Sequence, residues 1–308
     1  MGTVDISVES PSASAAKAPG RFKGLRYFTW WMPVFVIIWV IVFWRMFPDP
    51  VGLIKQNWPL SIVGLIGATI GNATAVGGGI IFVPVMMFVY HLPAVTSLKL
   101  ALASQSFGMT SGAIGWASRG VVKAKILKTA VVSLMIGSTI SSLVIRPNAF
   151  LVKGLFGPAS IFIGVVTLLM LNRHGEHDDL PSKGAYFWLA VMAFIGGLLT
   201  GWVAIGEGEV IAAFLMLVYG LRAERGIGLG VILLSINSIY LTLIHQFFLG
   251  GIPWEMAMFT GFGCVFGGRL GPYLSQWIGP RRLKIGFAVV AIIDGLIFIT
   301  QFISSGVK

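Results

Sequence analysis

The sequence predicts an all-α polytopic membrane protein: one N-terminal helix, then two inverted-topology repeats, each a broken or re-entrant hairpin followed by three transmembrane helices. Composition is the first observation. Hydrophobic residues make up 56% of the chain and charged residues 11%, with a mean hydropathy of +0.89, whereas a soluble domain carries about a quarter charged residues. The other two observations are a series of long apolar segments and a repeated glycine-rich break in two of them.

The apolar segments fix the order of elements, since a transmembrane helix needs about 20 mostly apolar residues. Residues 1–26 are polar and small at their start, which predicts a disordered cytoplasmic tail and no cleaved signal peptide. The first helix and its loop follow at 27–57, then repeat 1 (58–171), a cytoplasmic linker (172–184) and repeat 2 (185–304). The uninterrupted spans are predicted at 27–47, 95–118, 126–145, 153–171, 225–249, 254–275 and 284–304.

Two longer stretches, 58–90 and 185–219, are interrupted in the middle by glycines. The first contains Gly77–Gly79 and the second contains Gly206-Glu207-Gly208-Glu209. Glycine weakens a helix, and irregular backbone at membrane depth must be buried in protein or line a cavity. Each stretch is therefore interpreted as two short helices meeting at an irregular tip; whether the limbs span or re-enter is left open.

The two broken stretches are repeats of each other at a shift of 129 residues without a gap. Gly67 falls on Gly196, Gly77 on Gly206 and Gly79 on Gly208, and a shared Met-x-Val-Tyr run follows in the same register. Three spans follow each hairpin, and because three is odd the two halves should have opposite orientation. Such inverted repeats are typical of secondary transporters.

The positive charges agree with this inversion. With the N-terminus inside, the inside loops hold most of the cations, including Lys123, Lys125, Arg222 and Arg225, as the positive-inside rule requires. This distribution explains the net charge of +11 without invoking nucleic acid. We expect a multi-pass membrane protein with a cytoplasmic N-terminus.

At these motifs the chain resembles the TauE/SafE family of sulfite exporters and related anion permeases. The resemblance rests on Ala75-Val76-Gly77-Gly78-Gly79-Ile80-Ile81-Phe82-Val83-Pro84 and its degenerate second copy, Ala204 to Val210, and covers about residues 58–303. The resemblance implies transport of a sulfur-containing anion such as sulfite or a sulfonate, and it favours the cell inner membrane as the location. The second copy departs from the family pattern at Glu207 and Glu209, and Ala213 stands at the position equivalent to Pro84.

We expect the hairpin tips to bind the anion, because broken helices present free N–H groups and a positive dipole end and glycine permits close approach to the backbone. The alternative is that these glycines serve only close helix packing. Polar residues in the following spans are expected to flank the site or, equally, to link helices. The candidate substrate-binding residues are Asn72, Thr74, Gly77, Gly78, Gly79, Gln105, Ser106, Gly206, Gly208, Ser235, Asn237 and Arg269.

Glu207 and Glu209 are the candidate proton-coupling residues, since an acid at membrane depth is costly and by default functional. The alternative is that one caps a helix or pairs with an arginine. Arg269 is expected to attract anions or pair with these acids, and Asp294 to carry a proton. Lys99 is expected to contact the site or to extend towards the membrane interface. The His174–Asp179 loop is interpreted as solvated because its spacing does not match a metal site.

The leading functional hypothesis is a secondary transporter that exports a small sulfur anion by alternating access, with possible proton coupling. A passive anion channel and an uptake permease are alternatives from the same residues, and an assembly subunit is a further one. No catalytic constellation or Walker A motif occurs in the sequence, so an enzyme is not expected and no cofactor or metal is predicted. The expected partners are a small anionic substrate and membrane lipid, with a homodimer left open.

Overall fold

The structure is a computed structural model that describes residues 31–74, 76–118, 120, 123–171, 175–278 and 280–306. These residues form an all-α protein, as predicted, with no strand beyond an isolated bridge between His177 and Leu221. The helices are α1 (Trp31–Met46), α2 (Pro50–Thr74), α3 (Gly79–Pro84), α4 (Ala94–Ala117), α5 (Ala124–Thr139), α6 (Ala149–Leu169), α7 (Lys183–Val203), α8 (Glu207–Ala213), α9 (Ala223–Ile244), α10 (Trp254–Ile278) and α11 (Pro280–Gly306).

Four of these helices, α3, α5, α8 and α9, continue into a π-helical turn. The turns are Val85–Val89, Ile140–Val144, Phe214–Val218 and His245–Leu249. The first and third lie at the same 129-residue shift as the sequence repeat. The same local irregularity therefore follows each glycine-rich break.

Five helices of the described chain are long and apolar enough to cross a membrane: Ala124–Val144, Ala149–Leu169, Lys183–Val203, Ala223–Leu249 and Lys284–Ser304. Four coincide with predicted spans, and Lys183–Val203 is the first limb of the second broken stretch. The predicted spans 95–118 and 254–275 are helical as α4 and α10 but fall outside this set, because polar and charged residues such as Gln105 and Arg269 interrupt them. The predicted tail, 1–26, lies outside the described residues.

Both broken stretches fold back as hairpins. A Cβ built on Gly67 of α2 would lie 2.7 Å from the Phe82 ring of α3, and one built on Gly71 would lie 2.8 Å from the Val76 carbonyl oxygen. In the second stretch, a Cβ built on Gly196 of α7 would lie 2.9 Å from Cα of Glu207. Each second limb therefore runs back along the first, and the irregular segment between them forms a tip.

Helices of one half pack against helices of the other half. α2 packs closely against α10 and α5 packs closely against α7, so the first limb of each hairpin packs against a helix of the other half. Small residues permit these close approaches. A Cβ built on Gly271 of α10 would lie 2.8 Å from the Asn72 Cβ, and one built on Gly197 of α7 would lie 3.0 Å from the Ser138 amide nitrogen. The paired helices run in parallel.

Helices that are equivalent in the two halves pack in opposite directions. The Thr110 and Ser235 hydroxyls, 2.9 Å apart, and the hydrogen bond from Lys99 to the Gly250 carbonyl at 2.6 Å link α4 and α9 at opposite ends. These two links require the helices to be antiparallel. Gly157 and Gly164 of α6 likewise meet α11 near Ile299 and Ile292 in reversed order. An inverted repeat requires these directions.

Candidate functional site

The two hairpin tips, residues 76–79 and 204–207, meet inside the protein. A Cβ built on Gly79 would lie 2.8 Å from Cγ2 of Ile205, and one on Gly77 would lie 3.4 Å from the Ala204 carbonyl oxygen. Ala204 and Gly206 have left-handed backbones, with φ of 59° and 109°, and turn the chain sharply before α8. All described residues of both tips are buried, so this junction has no contact with bulk water.

A carboxyl group of the second half bonds to the backbone of the first tip. The Gly77 N–H donates to Oε1 of Glu209 at 2.7 Å, between residues 132 positions apart in the chain. Glu209 is 4% exposed and its other oxygen, Oε2, has no hydrogen-bond partner. The glycine-rich tip thus accommodates an acidic oxygen on a backbone donor, and half of that carboxyl group stays available.

Gln105 of α4 lies between the tips. Its amide Nε2 donates to the Ala204 carbonyl oxygen at 2.7 Å, while its Oε1 is buried without a partner. A Cβ built on Gly77 would lie 3.3 Å from that Oε1 and 3.6 Å from Cδ2 of Leu234. Leu234 is the repeat equivalent of Gln105 at the 129-residue shift, so equivalent helices approach the first tip with a polar side chain from one half and an apolar one from the other.

Glu207 is fully buried and takes part in a different network. The Asn237 amide of α9 donates to Oε2 of Glu207, and the Ser138 hydroxyl of α5 donates to Oδ1 of Asn237 at 2.8 Å. Oε1 of Glu207 has no partner. These hydrogen bonds link α5, α9 and α8. Glu207 is therefore bound by the helices α9 and α5, whereas Glu209 reaches the first hairpin tip.

Several predicted site residues serve hydrogen bonds within and between helices. Asn72 donates to the carbonyls of Ala68 and Gly108, and Thr74 to that of Ile70. Oδ1 of Asn72 remains without a partner. Ser106 donates to the Ala103 carbonyl of its own helix, at 2.7 Å. The structure therefore does not join the equivalent serines Ser106 and Ser235 to each other.

The remaining predicted glycines have two different roles. Gly78 precedes α3 and its carbonyl accepts the N–H groups of Ile81 and Phe82, which starts that short helix. A Cβ built on Gly230 of α9 would lie 2.9 Å from the Gly208 carbonyl oxygen. Gly208 thus lies where α8 approaches α9 closely, which agrees with the packing alternative for this residue.

The isolated charges Arg269, Asp294 and Lys99 lie on three different helices. Arg269 of α10 donates to the Met32 sulfur of α1 at 3.4 Å, and Asp294 is half-buried in α11. Lys99 reaches the end of α9 through Gly250. Ala75 of the first glycine-rich motif lies outside the described part of the chain. Of the predicted charges, the structure brings Glu207 and Glu209 to the tips.

Ser138 belongs to the Glu207 network but was not predicted from the sequence. The sequence did contain a signal for this residue, because Ser138, Ser141 and Ser142 cluster in an otherwise apolar span. All three are fully buried. Their neighbours explain the cluster: Ser138 and Ser141 also donate to the Gly197 carbonyl of α7. Polar residues in this span therefore both join helices and support the acidic tip.

The described linker residues before α7, 175–182, lie outside the membrane-spanning helices and are held by ion pairs. Asp178 pairs with Arg222 and with Arg225, the latter at 2.7 Å, and Asp179 pairs with Lys123 at 3.7 Å. The Arg222 hydrogen bond, with a smaller contribution from Arg225, lowers the pKa of Asp178. Within the described residues no group of acids, histidines and cysteines could hold a metal; His174 lies outside them.

A cavity of about 390 Å³ opens between α1, α2 and α10 and is lined by apolar and aromatic side chains, among them Trp39, Trp58 and Phe262. None of the predicted site residues lines it. Its lining offers almost no polar group to a small anion, so the tips remain the better candidate for the binding site.

Comparison with known proteins agrees with the fold and the motifs. The family model described as "Sulfite exporter TauE/SafE" matches residues 60–298. The chain is 26% identical to the probable membrane transporter protein YunE of Bacillus subtilis, over 80% of this chain and 98% of that protein. It is 26% identical to the probable membrane transporter protein MJ0441 of Methanocaldococcus jannaschii, over 77% and 93%. No solved structure matches it significantly.

Proposed function

Because the chain belongs to the TauE/SafE family of membrane transporters, we propose that it is a secondary transporter that exports a small sulfur-containing anion across the inner membrane. The substrate is sulfite or an organosulfonate such as sulfoacetate, and the mechanism is proton-coupled alternating access between inverted halves. One observation carries this proposal: the Gly77 N–H of the first tip donates to the buried Glu209 carboxyl oxygen.

A sulfite or sulfonate oxygen needs the same kind of donor as a carboxylate oxygen. The Glu209 carboxyl group therefore occupies the position that a substrate oxygen would take, and the two compete for the Gly77 N–H. Gly77 has no side chain to block an incoming oxyanion. The unpartnered groups around the junction, Oε1 of Gln105 and Oε2 of Glu209, are acceptors, so they do not bind an anion but do favour a proton next to it.

Displacement of Glu209 explains proton coupling. A carboxylate that loses its donor inside the protein cannot stay charged without a large desolvation cost. It therefore takes up a proton when the anion binds and releases it when the anion leaves. For a divalent sulfur anion accompanied by one proton, a net negative charge moves outward, and the interior-negative potential favours export by about 2.3 kcal/mol per 100 mV.

Alternating access is supported by the packing of the two halves. The tips meet at their junction, while α2 packs with α10 and α5 packs with α7. Each hairpin can therefore move with its parallel partner as one unit, and such movement of one half against the other around a fixed site is the usual behaviour of inverted repeats. Asn237 and Ser138 support the second tip through Glu207.

The test is flux in proteoliposomes loaded with sulfite or with sulfoacetate, with the internal pH recorded at the same time. We expect saturable flux and counterflow, accompanied by proton movement. Glu209→Gln should remove the proton movement, whereas Glu255→Gln, an exposed acid of α10, should retain it. Unchanged coupled flux in both Glu207→Gln and Glu209→Gln would refute the coupling, and flux without saturation or counterflow would indicate a passive channel instead.

A further inference from the structure

A second polar site lies at the far end of the α4–α9 pair. His245 begins the π-helical turn at the end of α9 and is fully buried, yet neither ring nitrogen has a hydrogen-bond partner. An imidazole presents at least one N–H donor. Buried polar groups are almost always hydrogen-bonded to protein, water or ligand, so His245 requires a partner that the described side chains do not supply.

Lys99 provides a cation at the same place. Its ammonium donates to the Gly250 carbonyl at 2.6 Å, which is its one hydrogen bond within the described residues, and Gly250 directly follows the π-helical turn that His245 begins. An ammonium carries three N–H donors, so donors remain for another group. The cluster holds a positive charge and an unpartnered imidazole, with no acid among the groups that act on His245.

The glycine turn after α9 lies beside the partly buried Lys99 ammonium. Gly250 and Gly251 have left-handed backbones, with φ of 62° and 74°, and Gly251 is exposed. A Cβ built on Gly251 would lie 3.3 Å from the Lys99 ammonium nitrogen. Any other residue would crowd the ammonium, so the turn leaves room beside it for a small ligand arriving from outside the protein.

Polar residues connect this cluster with the tips. On α9, the buried residues Ser235, Ser238 and Thr242 precede His245 at helical spacing, and the Ser238 hydroxyl has no partner. On α4, Lys99 lies six residues, or about 9 Å along the helix, from Gln105. The two helices are linked at both ends, by Thr110 with Ser235 and by Lys99 with Gly250.

We propose that Lys99 and His245 form a second binding site for a small oxyanion, at the mouth of a polar path that follows α4 and α9 to the hairpin tips. The predicted topology places this mouth on the outer side of the membrane. The anion accepts hydrogen bonds from the Lys99 ammonium and a His245 N–H. In an exporter, this site holds the substrate after it leaves Gly77 and before it enters the medium.

The test is the NMR signal of the His245 ring in full-length protein with ¹⁵N-labelled histidines, in nanodiscs of neutral phosphatidylcholine. The chain has four histidines, and His245→Asn assigns the signal, or replacement of the other three does so if that variant does not fold. Titration with sulfite should shift the signal saturably, and chloride at equal ionic strength should not. Lys99→Met should weaken binding by roughly tenfold or more, as expected for a lost charge-assisted hydrogen bond.

Two controls separate this site from others. Lys99→Arg should retain the sulfite response, and Lys128→Met, an exposed lysine of α5, should not change it. Glu209→Gln should leave the His245 response intact. Loss of the response in that variant, absence of any shift, or a shift produced only by anionic phosphatidylglycerol in the nanodisc without sulfite would each overturn the proposal.

This outcome is independent of the proposed export activity. A saturable His245 shift without sulfite flux in proteoliposomes would keep the second site and reject the transport of sulfite. Flux without a His245 shift would keep the transporter and reject the second site.

Discussion

The two hairpin tips occupy equivalent positions of the sequence repeat but differ in backbone conformation and have opposite chemistry. The first tip contains Gly77, Gly78 and Gly79 and presents a backbone N–H donor. The second tip is left-handed at Ala204 and Gly206, and its acids are Glu207 and, two residues further on, Glu209. At the repeat shift, Gly78 corresponds to Glu207. The comparison indicates that one half supplies the donor and the other supplies the acidic oxygen that fills it, so the site arises from the asymmetry of two similar halves.

Contact between the tips should be the feature most sensitive to mutation. A Cβ on Gly79 would lie 2.9 Å from the Ala204 carbonyl carbon, which is backbone and cannot move cheaply. Gly79→Ala should therefore separate the tips, abolish sulfite flux and lower the free energy of unfolding by about 1–3 kcal/mol. Thermal unfolding by tryptophan fluorescence and proteoliposome flux measure the two effects.

The matched control is Gly115→Ala, where an added Cβ meets nothing within 4 Å. It lies on α4 and should leave flux unchanged, with stability unchanged or slightly higher, because alanine favours helices. Equal behaviour of the two variants would show that the tips do not depend on close contact.

Removal of the Glu209 side chain tests the competition between its carboxyl group and the substrate. Glu209→Ala frees the Gly77 N–H, so sulfite binding should become tighter by roughly tenfold or more, since a hydrogen bond to a charged group is worth about 1.5–3 kcal/mol. Calorimetric titration of the purified protein measures this, with Glu255→Ala as control. Weaker binding would mean that Glu209 helps to hold the substrate and does not compete with it.

Gln105→Leu makes α4 resemble its equivalent α9, which has Leu234 at this position. The change keeps the side-chain size but leaves the Ala204 carbonyl without its donor. We expect a loss of about 1–3 kcal/mol in the free energy of unfolding and slower flux with coupling retained. Gln56→Leu, an exposed position of α2, should alter neither quantity; an equal loss there would remove Gln105 from the site.

Asp178→Asn should have the smallest effect, because its pair with Arg222 is exposed and its pair with Arg225 is only partly buried. The folded protein lowers the pKa of Asp178 through the Arg222 hydrogen bond. The contribution of ionised Asp178 to the free energy of unfolding is therefore complete above the ordinary aspartate pKa of about 4 and disappears as the pH falls below that value. Unfolding curves should differ slightly at neutral pH and coincide in acid. A large change in flux would show that the linker controls the tips.

The all-α membrane fold and the two glycine-rich breaks that form the hairpin tips could be predicted because they depend on local sequence. Glycine-rich breaks, their shift of 129 residues and the acids after the second break are visible in one chain. The Gly77–Glu209 bond could not be predicted, because it joins residues 132 positions apart and depends on how the two halves dock. Arg269 was expected at the acids for its charge alone, and charge does not determine which neighbours a side chain meets; one hydrogen bond of Arg269 goes to the Met32 sulfur of α1.

Proton uptake on anion binding is the most direct test of the central claim, that substrate displaces Glu209 from Gly77. Sulfite would be titrated into purified protein by calorimetry in two buffers of different ionisation enthalpy, which reports the protons exchanged per anion. The account predicts proton uptake with each anion bound in the wild type and in Glu255→Gln, and none in Glu209→Gln. Binding without proton exchange in the wild type, or equal exchange in Glu209→Gln, would contradict it.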